Sequence, residues 1–199
     1  MSALTWQDAG GGVGLRVTVP VAMSPDQAAR DLAPRLSALA GERAPASPHG
    51  EGARAKRAVP VVTIDGYSGS GKSTLAAALT RLVNGWQVLH LDDWYPGWDG
   101  LEAGADIARR IAADLRAGRA SSYEAWDWEN DTTGATTRVP LAPTIIEGCG
   151  AIEAEADLSV WIADPGEDER RSRALARDGQ TYAPHWQRWA DQDLGRPVK

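Results

Sequence analysis

The chain has 199 residues, with 21 basic and 27 acidic side chains, a net charge of −6, and nine Trp and four Tyr but no Phe. This length suits one domain with an appendage, and 43% hydrophobic with 24% charged content is that of a globular chain, which excludes a wholly disordered or fibrous protein. The negative balance opposes a nonspecific grip on nucleic acid or anionic membrane, and no run approaches the roughly 18 apolar residues of a spanning helix.

Residues 1–58 read as an N-terminal extension whose start, Met1 to Gly14, is too polar for a signal peptide. Ser24 followed by Pro25 is an N-cap with Pro at the first helical position, and Ala28, Leu32, Leu36 and Leu39 recur at helical spacing up to Gly41. One amphipathic helix is predicted there. From Gly41 to Ala58, Pro45, Pro48, Gly50 and Gly52 interrupt any period, and Arg54, Lys56 and Arg57 form a small basic cluster. This reads as a linker, and three charges without interleaved aromatics make a solvated loop, not a nucleic-acid patch.

From Val59 to the end, strands and helices alternate, the pattern of a mostly parallel sheet covered on both faces. The predicted strands are Val59 to Asp65, Gln87 to Leu91, Thr144 to Glu147 and Leu158 to Ala163, each short and apolar as a buried parallel strand is. The predicted helices are Lys72 to Val83, Glu102 to Ala117, Glu167 to Arg177 and His185 to Asp191. Ser121 to Pro143 is rich in Trp, Asp, Thr and Gly with poor periodicity, and a long irregular stretch inside a compact domain is often functional.

Gly66-Tyr67-Ser68-Gly69-Ser70-Gly71-Lys72-Ser73 fits G-x-x-x-x-G-K-[ST] and sits where that motif must sit, between an apolar strand and an Ala/Leu-rich helix. The glycines let backbone N–H groups converge on phosphate oxygens, and the helix N-terminus, with Thr74 in its first turn, adds partial positive charge. Lys72 is expected to bridge the β- and γ-phosphates of ATP, and Ser73 to ligate Mg2+. Lys72 is also the single lysine between Lys56 and Lys199, so its position is not a by-product of a lysine-rich composition. These features predict a three-layer P-loop NTPase fold.

No Asn-Lys-x-Asp element is present to read a guanine base, which argues against a GTPase switch. The second predicted strand instead ends in Leu89-His90-Leu91-Asp92-Asp93-Trp94-Tyr95. In an open parallel sheet the carboxyl ends of the strands face the ligand crevice, so Asp92 is expected to point at the γ-phosphate. A carboxylate there can orient a substrate hydroxyl and take its proton, or bind magnesium without acting as a base.

At this point the sequence resembles the P-loop kinases that include uridine kinase, phosphoribulokinase and bacterial pantothenate kinase, over roughly Val59 to Gln192. Asp92-Asp93-Trp94-Tyr95 is similar to an Asp-Ser-Phe-Tyr type element whose Asp is the catalytic base. Trp126-Asp127-Trp128 looks like the Tyr-Asp-Phe element of the nucleoside site, and Ile145-Ile146-Glu147-Gly148 matches the strand that ends in Glu-Gly. Asp164 followed by Arg170, Arg173, Arg177 and Asp178 resembles the strand end and Arg-rich lid helix. The resemblance implies catalytic roles for Lys72, Asp92, Arg170, Arg173 and Arg177, and substrate contacts from Asp93, Trp94, Tyr95, Trp126, Asp127 and Trp128. Magnesium would fall to Ser73, Asp92 and Glu147, although Glu147 equally suits capping of the Gly-rich turn behind it.

The family usually adds a strand and an adenine-contacting loop after the lid, whereas only about 20 residues follow it here. That strand is either absent or replaced by Leu15 to Val21. The expectation is an ATP- and Mg2+-dependent small-molecule kinase acting on a hydroxyl of a nucleoside-like or other planar metabolite. A nucleoside monophosphate kinase is the alternative, with Arg109, Arg110, Arg116 and Arg119 as the second cationic cluster it would need. The rival from another class is a nucleotide-dependent regulatory ATPase module. A single Cys149 and three scattered His provide no disulfide and no zinc spacing, so a reducing cytoplasm is the simplest compartment. Trp94, Trp98, Trp126 and Trp128 all fall on the predicted acceptor side, where a flat indole supplies stacking area and one N–H donor.

Overall fold

A computed structural model describes residues 3–8, 14–42 and 58–196 of the chain; the basic cluster at Arg54, Lys56 and Arg57 and most of the expected linker lie outside them. Eight strands and five α-helices are present among the described residues. The strands are β1 (Thr5–Asp8), β2 (Leu15–Val19), β3 (Val61–Asp65), β4 (Gln87–His90), β5 (Ser121–Asp127), β6 (Thr132–Val139), β7 (Thr144–Glu147) and β8 (Leu158–Ile162). The helices are α1 (Pro25–Glu42), α2 (Lys72–Thr80), α3 (Leu101–Arg116), α4 (Glu167–Tyr182) and α5 (Trp186–Leu194).

Six strands form one sheet in the order β1-β2-β8-β3-β7-β4, in which β1 is antiparallel to β2 and every other pairing is parallel. Every residue of β3 and β7 is buried, as expected of central strands covered on both faces. Alternation at period two divides them between two cores. Val62, Ile64 and Ile145 face a core shared with Leu32 and Leu36 of α1 and Leu75 and Leu79 of α2. Val61 and Ile146 face the other core, with Ile111 and Leu115 of α3 and Trp186 and Trp189 of α5. The result is a three-layer α/β fold with a mostly parallel central sheet, as the sequence predicts.

The four strands predicted from Val59 onward are all present, β7 with the predicted bounds. One alternative left open by the sequence is decided and two elements differ from expectation. First, Leu15 to Val19 forms β2 in parallel register with β8, Val17 opposite Val160 and Val19 opposite Ile162, so the N-terminal replacement strand is the arrangement adopted. The helix expected near Ser24 follows it as α1, capped by the Ser24 hydroxyl, which accepts from the Gln27 N–H at 3.2 Å. Second, the stretch expected to be irregular after Ser121 is a two-stranded antiparallel hairpin, β5–β6. Its Thr-rich second strand alternates two exposed faces, so it carries no apolar period for a sequence reading to find. Third, the helix expected to end at Arg177 runs on, as α4, to Tyr182 through a kink at Gly179, whose backbone (φ 58°, ψ −136°) is closed to most other residues.

Leu32 and Leu36 are fully buried beneath the sheet. Replacing either with Ala is expected to lower the global unfolding free energy by about 2–5 kcal/mol. Urea denaturation followed by tryptophan fluorescence measures this; an unchanged midpoint would mean that α1 is not part of the cooperative core.

Candidate active site

Parallel pairing brings the carboxyl ends of β2, β8, β3, β7 and β4 to one edge of the sheet, where ligands bind in open α/β folds. The Gly66–Ser73 loop leaves β3 at that edge and enters α2. Gly69 (φ 80°) lies so close to α4 that a Cβ would sit 2.2 Å from the Arg170 carbonyl oxygen, while Gly71 (φ 106°) opens onto free space at the helix start. No side chain caps α2. Its first backbone N–H groups therefore lack intrahelical partners and face the open side of the loop, the geometry that receives phosphate. The hydroxyl of Ser70 is buried without a hydrogen-bond partner.

Lys72 is buried and curls over the loop, donating to the carbonyls of Gly66 at 2.8 Å and Tyr67 at 3.2 Å and approaching the Cys149 sulfur at 3.3 Å. Burial opposes its charge, but Cys149 and the carboxylates of Asp193, Glu147 and Asp65 more than offset this and raise its pKa. Burial pushes the Cys149 thiol up to about 12, and Asp193 adds to the shift. At neutral pH the sulfur is therefore a neutral thiol, and the three carboxylates hold the lysine charged.

A cavity of about 1030 Å³ opens at this edge. It is lined by Ser68, Gly69, Gly71, Lys72, Ser73 and Thr74 from the cradle, Asp92 and Glu147 from the ends of β4 and β7, and Arg173 and Arg177 from α4. Tyr95, Trp98, Trp128, Tyr182, His185 and Trp189 make its aromatic wall. Trp98 stacks on His185 with ring centres 4.3 Å apart and packs at 4.8 Å against Trp128.

The Asp92 carboxyl opens into the cavity but is ringed by protein, and this loss of water, reinforced by the Glu147 charge, raises its pKa against the pull of Lys72 and Arg177. Register sets His90 opposite Glu147, and their Nδ1 and Oε1 atoms lie 2.6 Å apart. Burial alone would raise the Glu147 pKa; the hydrogen bond from His90, the charges of Lys72 and His90 and a hydrogen bond with Ser73 bring it below the ordinary value. Ser73, Glu147 and Asp92 thus flank the same cavity. Among the described residues no group of three or more His, Cys, Asp or Glu is placed to hold a metal by itself. A hydroxyl and one or two carboxylates suit magnesium, which completes its shell with substrate phosphates and water.

The structure does not bring every expected residue to this cavity. Arg170 is 2% exposed and lines no wall: its Nε donates to Asp164 at 2.8 Å, its Nη1 donates to the Ser68 carbonyl at 3.3 Å, and its guanidinium lies over the rings of Tyr67 and Trp186. It pins α4 to the Gly66–Ser73 loop. Trp94 is a core residue, with its indole N–H donated to the Gly104 carbonyl. Asp93 accepts from the Tyr123 hydroxyl at 3.4 Å, Trp126 sits on the hairpin, and Asp127 closes the hairpin turn by accepting from the N–H groups of Glu129 and Asn130. Of the Trp-Asp-Trp element only Trp128 reaches the cavity, and its indole N–H donates to the Asp92 carbonyl at 2.8 Å. Gly66 and Tyr67 serve the cradle through the carbonyls that receive Lys72.

Sequence reasoning missed a set of residues that hold the cradle from behind. Asp65, fully buried, accepts from the N–H groups of Gly66, Gly150 and Ile152 and from both Nη atoms of Arg196. Asp193 accepts from the Ser68 N–H at 2.7 Å and from Arg196, and Tyr182 donates to the Ser68 hydroxyl at 2.9 Å. Arg196 and Asp193 come from the end of the chain, 131 and 128 residues from Asp65, and no local pattern marks them.

No family model matches the chain, and no curated protein matches it. Among solved structures, the chain is similar to a putative fructose transport system kinase from Silicibacter sp. TM1040, with 22% identity over 84% of this chain and 87% of that one and a TM-score of 0.47. It is also similar to a possible uridine kinase from Bacillus stearothermophilus, with 20% identity over 84% of this chain and 98% of that one and a TM-score of 0.42. Likenesses of this size say nothing about substrate; the loop, the cavity and the carboxylates stand on their own geometry.

With its pKa near 12 and its side chain buried, Cys149 is expected to remain unmodified by iodoacetamide at pH 8 in the native protein and to react once urea unfolds the chain. Intact-mass spectrometry reads the outcome; rapid native alkylation would show an accessible thiolate beside Lys72.

Proposed function

We propose that this chain is a P-loop small-molecule kinase that transfers the γ-phosphate of ATP, with Mg2+, to a hydroxyl of a planar metabolite. One observation carries the reading: Lys72, Ser73, Asp92, Glu147, Arg173 and Arg177, drawn from four separate elements, converge on a single cavity with an aromatic wall. Magnesium, when bound, would supply positive charge against the phosphates; Ser73 and Glu147 are the residues that would hold it.

The rest falls to the chain's own residues. Lys72 holds the phosphates by charge, and the α2 N-terminus supplies backbone donors. Asp92 orients the acceptor hydroxyl and takes its proton as the oxygen attacks phosphorus, while the bond to the leaving oxygen breaks. Its raised pKa makes it a better proton acceptor than an ordinary aspartate. Arg173 and Arg177 lie on α4 one turn apart and are placed to offset the charge of the transferring group and shut out water. Trp128, 37% exposed and lining the cavity, offers indole surface to the acceptor.

The monophosphate alternative lacks its cations. Arg109 pairs with Glu102, Asp106 and Glu153, Arg116 with Glu155 and Arg119 with Asp114, Arg110 bonds Ser121 and Ser122, and none of the four lines the cavity. A regulatory ATPase has no use for a 1030 Å³ aromatic-walled cavity beside Asp92, which is far larger than an attacking water requires. No helix among the described residues is long and apolar enough to cross a membrane, and the buried free Cys149 fits the cytoplasmic reading.

A panel of nucleosides, nucleoside monophosphates and hydroxylated metabolites is expected to contain an acceptor that stimulates ADP release and quenches tryptophan fluorescence. Background ATP consumption across the whole panel would overturn the kinase reading in favour of the regulatory one. With that acceptor, Lys72→Ala should reduce turnover by about 10²–10³-fold and Asp92→Asn by about 10²–10⁴-fold, the latter at nearly unchanged ATP affinity. A mild effect of Asp92→Asn would remove the general base from the mechanism.

A further inference from the structure

His90 ends β4, an edge strand of the sheet, and has no part in the proposed transfer. Its ring does not line the large cavity. Parallel register sets it directly opposite Glu147, the last residue of β7, so both side chains leave the sheet on one face. That face is covered by α2, which opens with Lys72 and Ser73. His90 Nδ1 and Glu147 Oε1 are 2.6 Å apart. Glu147, held below its ordinary pKa, is a carboxylate and accepts only, so Nδ1 carries the hydrogen whether the ring is neutral or charged.

The two partners are unequally buried: the Glu147 side chain is 4% exposed and that of His90 46%. A carboxylate so enclosed needs its lone pairs occupied and its charge matched. Lys72 supplies charge from nearby, but its ammonium donates to the carbonyls of Gly66 and Tyr67 and leans on the Cys149 sulfur, and among the described residues it forms no ion pair with Glu147. The side-chain hydrogen bonds to Glu147 therefore come from His90 and Ser73. Ser73 is itself a proposed magnesium ligand, so His90 is the partner left to tether the carboxylate when the metal is bound. Magnesium demands near-ideal octahedral geometry, and an oxygen that swings on an untethered side chain meets it poorly. Carboxylates that ligate metals are for this reason held by hydrogen bonds from residues behind them.

We propose that His90 is a positioning residue for magnesium: its Nδ1–H fixes the Glu147 carboxylate beside Ser73, in the orientation in which the two share the metal. This rests on the nucleotide and magnesium reading above and adds to it a residue that the resemblance to P-loop kinases left without a role. His90 acts through Glu147 and touches neither phosphate nor acceptor.

The test separates metal-dependent from metal-independent binding. Titration calorimetry with the non-hydrolysable ATP analogue AMP-PNP, in magnesium and in EDTA, compares the full chain with His90→Ala, which removes the donor, and His90→Asn, which returns an amide N–H near the place of Nδ1–H. His90 is half exposed on an edge strand, so neither change opens a cavity in the core, and thermal melts verify that. The unaltered chain is expected to bind AMP-PNP more tightly in magnesium than in EDTA. His90→Ala is expected to lose about 10–100-fold in the magnesium titration and less than about twofold in EDTA, with His90→Asn recovering most of the loss. In a Glu147→Ala background, His90→Ala should cost less than about twofold more, because the group it positions is gone. No loss in His90→Ala, equal losses with and without magnesium, no recovery in His90→Asn, or a full additional loss in the Glu147→Ala background would each overturn the positioning role and leave the magnesium reading standing. Equal binding of AMP-PNP by the unaltered chain in magnesium and EDTA would overturn the magnesium reading, and no binding at all the nucleotide reading, and His90's role with either.

Discussion

The carboxylate of Asp65 is the fixed point of this molecule. It ends the central strand β3, has no exposed surface, and is surrounded by three backbone N–H groups and a guanidinium. A buried carboxylate is tolerable only when its charge is matched and its lone pairs are occupied, and here both conditions are met by pieces of chain far apart in sequence. Gly66 begins the phosphate loop, Gly150 and Ile152 follow β7, and Arg196 closes the C-terminal helix segment. Asp193 extends the cluster to the Ser68 N–H, so that two carboxylates, Asp65 and Asp193, are balanced by Arg196 and Lys72. The cradle's lysine is thus charged as part of a buried network, before any ligand enters.

This network explains why α4 is attached as it is. The loop residue Ser68 is held at its N–H by Asp193, at its carbonyl by Arg170 and at its hydroxyl by Tyr182. Two helices thereby grip one residue of the glycine-rich loop. Arg170 anchors the base of α4, while Arg173 and Arg177, half exposed on the same helix, are left over the cavity. The kink at Gly179 turns the chain so that Tyr182, His185 and Trp189 form the far wall of that cavity. One helix carries both the structural pin and the cations proposed to act on phosphate, Arg173 one turn and Arg177 two turns beyond Arg170.

Much of this was legible in the residues. The G-x-x-x-x-G-K-S run, the apolar strand before it and the helix after it are local signals, and local signals survive without tertiary information. Asp92 and Glu147 were legible for the same reason, since each ends a predicted strand of a parallel sheet. The Trp-Asp-Trp element was less faithful: β5 ends at Asp127, which closes the turn, so Trp128 lies in the turn and reaches the cavity while Trp126 stays on the strand. Trp94 follows the short helical turn after β4, and that turn directs its ring into the core.

Sequence by itself determined the alternating α/β architecture and the glycine-rich loop between β3 and α2 with its single lysine, because hydrophobic period and glycine spacing are properties of neighbouring residues. Only the tertiary structure decided that Leu15–Val19 completes the parallel sheet, that Arg170 is a pin, and that Asp65, Asp193 and Arg196 share one buried charge cluster. Those depend on pairing and burial between segments more than 100 residues apart, and a strand or an arginine carries no mark in its own sequence of the partner that it will meet.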